Sequence, residues 1–208
     1  MKRSLVFFAA VAGLFAVTTA FAAGDKLKAH PEEYNPDNAP VTITAEWRTF
    51  SGLPDPSGKS DSGLILGLSS DVEFPPGASA DATIKTLTPK TVLTLDAETP
   101  LAFDHKIGTL CSGGAPRWNV ETADGGVYAY QCSNGTPTPI SGFPDWERRT
   151  FDCADTEILA PASSGSPCPF GSGQQVTFLQ VLVDIEGETT LDNLRVNDCI
   201  MGKPGNCK

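Results

Sequence analysis

Basic charge, histidine, closely spaced cysteines and long apolar runs are all scarce in this sequence, and each scarcity argues against a class of function. With 15 Lys and Arg against 25 Asp and Glu, the formal net charge is −10, and no local cluster of basic residues offsets it. Such a surface repels phosphate backbones and anionic lipid headgroups, which argues against nucleic acid as a partner. His30 and His105 are the only imidazoles, and none of the six cysteines falls in a CxxC pair, so the spacing of a structural zinc site is missing. No GxSxG nucleophile elbow occurs. Beyond the first residues no apolar run is long enough to span a bilayer, so no retained membrane segment is expected. No window of helical length carries a period near 3.6 residues.

What is present begins with Lys2 and Arg3 ahead of an apolar run from Leu5 to Val17, followed by Ala20-Phe21-Ala22. This is the layout of a secretory signal peptide cut after Ala22. The expected organisation is a signal peptide over 1–22, an extended leader over 23–40 and a single domain over 41–208. Export removes Lys2 and Arg3 and takes the formal charge from −10 to −12. The expected location is secreted, periplasmic or extracellular. All six cysteines (Cys111, Cys132, Cys153, Cys168, Cys199 and Cys207) lie in the exported part, and an even number there reads as three disulfides. Sequence leaves the pairing open; joining neighbours in order, Cys111 to Cys132, Cys153 to Cys168 and Cys199 to Cys207, is the simplest choice.

The exported part reads as strands. In VTITAEWRTF, Val41, Ile43, Ala45 and Trp47 alternate with Thr42, Thr44, Glu46 and Arg48, the pattern of a strand with one buried face. LILGLSS, ATIKTLT, TVLTLDA, LAFD, IGTLC, RWNVET, VYAYQC, WERRTF, VTFLQVLVDIE and LDNLRVND continue the series, separated by Pro, Gly, Asp and Asn. Many short strands with regular turn signals predict an all-β, two-sheet, jelly-roll-like β-sandwich, stabilised by its disulfides. Between Cys111 and Cys132, RWNVET and VYAYQC flank the tight-turn sequence ADGG and predict a hairpin over 116–132. Gly113 and Gly114 then mark a bend rather than a phosphate cradle, because no helix follows them.

The segments GGAPRWNVETADGGVYAYQCSNG, DWERRTFD and VTFLQVLVDIEGETTLDNLRVND resemble a group of secreted bacterial proteins that share a GGxPRFNV segment, an aromatic strand ending in Cys, a tryptophan segment and a terminal LDNI.VN strand. The resemblance covers residues 108–198, implies a secreted β-sandwich and supplies no activity. The last strands, with LDN after a long apolar run, also resemble those of jelly-roll carbohydrate-binding modules.

Four sets of residues are candidates for chemistry. On a continuous strand, Asp184, Glu186 and Glu188 of VDIEGE would share a face, and retaining glycosidases need carboxyl groups about 5 to 5.5 Å apart. The competing reading is a solvated strand exit. Trp118, Tyr128, Tyr130 and Trp146 are candidates for a sugar-stacking platform, with core packing as the alternative. Asp124, Asp192 and Asn193 supply hard oxygens at turns and are candidates for a structural calcium site, although turn chemistry accounts for them and is the favoured reading; no cofactor is otherwise expected. His105, beside Asp104, reads as a loop or surface residue rather than part of a hydrolytic triad. Ser57 to Ser60 end like a Walker A loop but lack its first glycine, which is Leu53 here. The expected function is a non-enzymatic extracellular binding or surface module whose unknown ligand is a polysaccharide if the aromatic or loop surfaces bind. The alternatives are a glycan-cleaving enzyme using the VDIEGE carboxylates, or a purely structural envelope or matrix protein.

Overall fold

The computed structural model describes residues 27–54, 61–71, 77–86, 92–98 and 100–202. The signal segment, Ser57 to Ser60 and Cys207 lie outside them. The strands are β1 (Leu27–Tyr34), β2 (Thr42–Arg48), β3 (Gly63–Ser69), β4 (Ser79–Thr86), β5 (Leu101–Lys106), β6 (Arg117–Thr122), β7 (Val127–Gln131), β8 (Thr136–Ile140), β9 (Phe143–Phe151), β10 (Thr156–Ala160), β11 (Val176–Val183), β12 (Gly187–Val196) and β13 (Cys199–Met201). They form two antiparallel sheets, the first ordered β1-β4-β11-β6-β7-β10 and the second β2-β3-β12-β5-β9-β8, with β13 alongside β12. The fold is a disulfide-stabilised two-sheet β-sandwich.

Alternation makes the core. Leu64, Leu66, Leu101, Phe103, Leu191 and Leu194 of the second sheet meet Ala80, Ala82, Trp118, Tyr130, Leu179 and Val181 of the first, all buried. Each fully buried leucine there contributes about 1.5–3 kcal/mol relative to exposure. The Cys111–Cys132 and Cys153–Cys168 disulfides are formed. Cys199 is disulfide-bonded too, and its expected partner, Cys207, lies outside the described residues.

The domain begins earlier than the expected Val41. Residues Leu27–Tyr34, read as leader, are the edge strand β1, paired with β4 from Leu27↔Thr86 to Tyr34↔Ser79. Leu27 and Ala29 enter the core while Lys28 and His30 face out. Pro31 obscures that alternation, yet an edge strand tolerates a proline because one side of it needs no donor.

Candidate functional site

The inner face of β5 sets up the site. Leu101 and Phe103 point into the core, and the strand's two-residue period carries His105 to the same face at the rim of the sandwich. His105 stands opposite Glu147 on β9 and Leu191 on β12. The ring is 3% exposed, so it is not the loop or surface residue the sequence suggested. Beyond Lys106 the chain turns through Gly108, whose φ of +88° favours glycine, and delivers Cys111 to its disulfide with Cys132. Two backbone bonds pin this turn: Ile107 N donates to Asp145 O at 2.8 Å and Leu110 N to Glu188 O at 2.9 Å.

Around the imidazole the polar groups are ordered. Thr109 Oγ1 lies 3.1 Å from His105 Nε2, and Glu147 Oε1 lies 3.4 Å from Nδ1. The Thr109 hydroxyl donates to Lys106 O at 2.7 Å, so its oxygen is left to accept from the Nε2–H, and it also accepts from Thr190 N at 3.3 Å. That assignment puts a proton on Nε2, while Nδ1 faces the Glu147 carboxylate at 3.4 Å without hydrogen-bond geometry. Burial, the largest influence, pulls the His105 pKa below its ordinary value, against the opposing pull of Glu147. Glu147 is occupied by Arg149, whose Nε donates to Oε1 at 2.8 Å and whose Nη2 lies 2.5 Å from it. Arg149 in turn reaches Gly135 O at 3.0 Å. Thr109, His105 and Glu147 therefore stand in hydroxyl–imidazole–carboxylate order. The hydroxyl proton is nonetheless committed to a carbonyl, which leaves Thr109 a clamp on the ring rather than a poised nucleophile.

An open cleft of about 590 Å³ lies over this cluster, lined among others by Ile107, Thr109, Ser112, Glu147, Arg149 and Glu188. A smaller concavity of about 240 Å³, lined by Thr42, Thr44, Ser69 and Glu186 among others, adjoins it across Gly187 and Glu188.

The sequence-predicted sites are placed elsewhere or taken apart. VDIEGE is not a continuous strand: β11 ends at Val183 in one sheet and β12 begins at Gly187 in the other. The period-2 argument for Asp184, Glu186 and Glu188 on one face therefore fails. Asp184 is held by Arg117 in two parallel bonds of 2.7 and 2.6 Å, while Glu186 and Glu188 are exposed. The four aromatics are buried, not a platform. Trp118, Tyr128 and Tyr130 are at most 1% exposed between the sheets, with Tyr130 stacked on Phe170 at 4.7 Å. Trp146 is buried on the face of β9 opposite Phe151. Such rings cover too much apolar area to be left in water when a core is within reach.

The proposed calcium oxygens fall in different sheets. Asp124, in the β6–β7 turn, accepts from Thr122 and Ser164 hydroxyls at 2.6 and 2.5 Å, and these hold its carboxyl below the usual range, Ser164 more than Thr122. Asp192, on β12, accepts from Leu53 N and Asn193 N, both at 2.7 Å. Asn193 donates to Asp104, which Arg148 grips at 2.7 and 3.0 Å. Only the Thr122–Asp124 and Asp192–Asn193 bonds are the local turn and bulge contacts of the alternative reading; those to Ser164, Leu53 and Asp104 reach across the fold.

His105, Thr109, Glu147 and Arg149 were not singled out as a site by the sequence reading, yet strand parity carries the signal. In LAFDHK the histidine shares the face of Leu101 and Phe103, and in WERRTF Glu147 and Arg149 share that of Phe151. No protein-family model, curated protein or solved structure matches the chain.

Proposed function

We propose that this protein is an exported extracellular binding module that takes a hydroxyl-rich ligand, of which a polysaccharide is the leading kind, in the cleft beside Glu188. The observation that carries this reading is the open concavity of about 590 Å³, whose walls are fixed by the Cys111–Cys132 disulfide and the Thr109–His105–Glu147–Arg149 contacts. A wall already immobilised loses little side-chain freedom on binding. Thr109, Ser112 and Glu188 offer hydroxyl and carboxylate groups at its surface, the polar groups that orient a sugar. The acidic surface leaves nucleic acid and anionic membranes outside its partners.

Affinity electrophoresis of the oxidised mature protein through gels containing a panel of polysaccharides, with calcium and with chelator, tests this reading. Retardation by one glycan is expected, weakened about tenfold or more by Glu188→Ala, a loss of about 1.4 kcal/mol or more. Glu46→Gln, on β2, is expected to leave it unchanged. Unaltered mobility across the panel, or retardation indifferent to Glu188→Ala, removes this cleft as a glycan site and favours a structural role.

A further inference from the structure

We propose that His105, Cys111 and Cys132 form a latent site for a thiophilic cation, closed while the two sulfurs are joined and opened when a dithiol reduces them. The inference is independent of any ligand in the cleft. An imidazole nitrogen of His105 and the two Sγ atoms all lie within 4.8 Å of one another. Metal–sulfur bonds of about 2.3 Å and metal–nitrogen bonds of about 2.0 Å put the ligand atoms of a tetrahedral site roughly 3.5 to 3.8 Å apart. The nitrogen-to-sulfur separations therefore exceed that spacing by no more than about an ångström, while the two sulfurs, bonded to each other in the oxidised protein, sit closer than it and part towards it only when the S–S bond is cut.

The surroundings suit the assignment. His105 Nδ1 is buried without a hydrogen bond among the described residues. Backbone pairing that does not depend on the disulfide lies at or next to each ligand. Cys132 N donates to Pro116 O at 2.9 Å, His105 sits on β5 between β9 and β12, and Leu110 N, next to Cys111, donates to Glu188 O at 2.9 Å. Cys111 lines the open cleft, which gives an ion a path in. Two thiolates balance a dication, and the Glu147–Arg149 pair balances itself, so occupation adds no net charge to a partly buried site. The fourth position is left to a cleft water or to Glu147 Oε1, 3.4 Å from His105 Nδ1.

The chemistry balances. The protein S–S bond breaks as the S–S bond of the dithiol reagent forms, leaving two cysteine thiols. Binding a dication then releases both thiol protons.

The test is to reduce the mature protein with dithiothreitol, remove the reagent by anaerobic gel filtration and titrate with Co²⁺. A thiolate-to-cobalt charge-transfer band with tetrahedral d–d bands is expected from reduced protein and none from oxidised protein. The band is expected to vanish in Cys111→Ser, and cobalt affinity to fall about tenfold or more in His105→Asn. Circular dichroism decides the case in which reduction loosens the fold. Native signal restored by cobalt supports the site, because metal binding then supplies folding free energy. Loss that cobalt does not restore overturns it, as does a native spectrum without the charge-transfer band. A band that survives Cys111→Ser places the ion on other cysteines and also overturns it.

Discussion

Asp81 shows what a single buried carboxyl does to this sandwich. It lies on the outer face of β4, between Glu32 on β1 and Leu182 on β11, and is 6% exposed. Burial first, and the Glu32 carboxylate second, push its pKa up to about 6 from 3.8. Long contacts of 3.4 Å from Thr83 and 3.5 Å from Ser79 offset little, and Lys85, whose charge also pulls the pKa down, is engaged by Glu32 at 2.7 Å. Because the folded-state pKa is raised, the native protein holds a proton that the unfolded chain releases, and stability falls as pH rises from about 4 to about 6. Above that window the full penalty is present, on the order of 2–3 kcal/mol. Asp81→Asn is therefore expected to stabilise the protein by on the order of 2 kcal/mol at pH 7 and by almost nothing at pH 4, as urea unfolding at the two pH values would measure. An equal effect at both would show that the carboxyl is not perturbed. None of this was legible in SADATIKT, since alternation puts Asp81 on an outer face without saying that Leu182 and β1 would cover it. His105 failed for the opposite reason: its parity was legible, but histidine beside aspartate was weighed as a surface pair.

The strands with clean alternation were the legible ones. RWNVET and VYAYQC became β6 and β7, turning through 123–126 as expected, because each puts its aromatic residues on one face and smaller or polar residues on the other. β8 was missed since Pro137 and Pro139 break the donor pattern, something only an edge strand tolerates. TVLTLDA yields a lone bridge at Leu93, and IGTLC is turn rather than strand. VDIEGE was misread because apolar alternation runs on through Ile185 while the backbone is already crossing between sheets. Gly187 makes that crossing at φ +133°, a region a side chain rarely adopts, and an added Cβ would meet Leu110 at 3.3 Å. Gly187→Ala should cost about 1–3 kcal/mol in chemical denaturation, and it should also displace Glu188 at the cleft wall. Glu186→Gln, one residue earlier and exposed, should stay within about 0.5 kcal/mol of wild type. Similar losses from the two changes would mean that the turn is set by its charges and not by its backbone.

Alternation gives each strand an inside and an outside but names no neighbour, so the fold class was legible and the strand order was not. That order interleaves the early and late parts of the chain. β3 pairs with β12 through Leu64↔Leu191, β4 with β11 through Ala82↔Val181, and β5 with β12 through Leu101↔Val196. The disulfides add a second constraint, since Cys111–Cys132 ties the β5–β6 crossing to the end of β7 and closes a 21-residue separation worth about 3 kcal/mol of unfolded-chain entropy. A break between residues 107 and 108 would leave β3, β4 and β5 without their inner partners and would expose one whole side of Phe103 and Leu64. Fragments 23–107 and 108–208 are accordingly expected to be unfolded when separate, with amide resonances collapsed into the random-coil range. The intact oxidised protein should melt in one transition whose calorimetric and van't Hoff enthalpies agree. Dispersed resonances from either fragment alone, or a calorimetric enthalpy well above the van't Hoff value, would mean two separable units in place of one interleaved core.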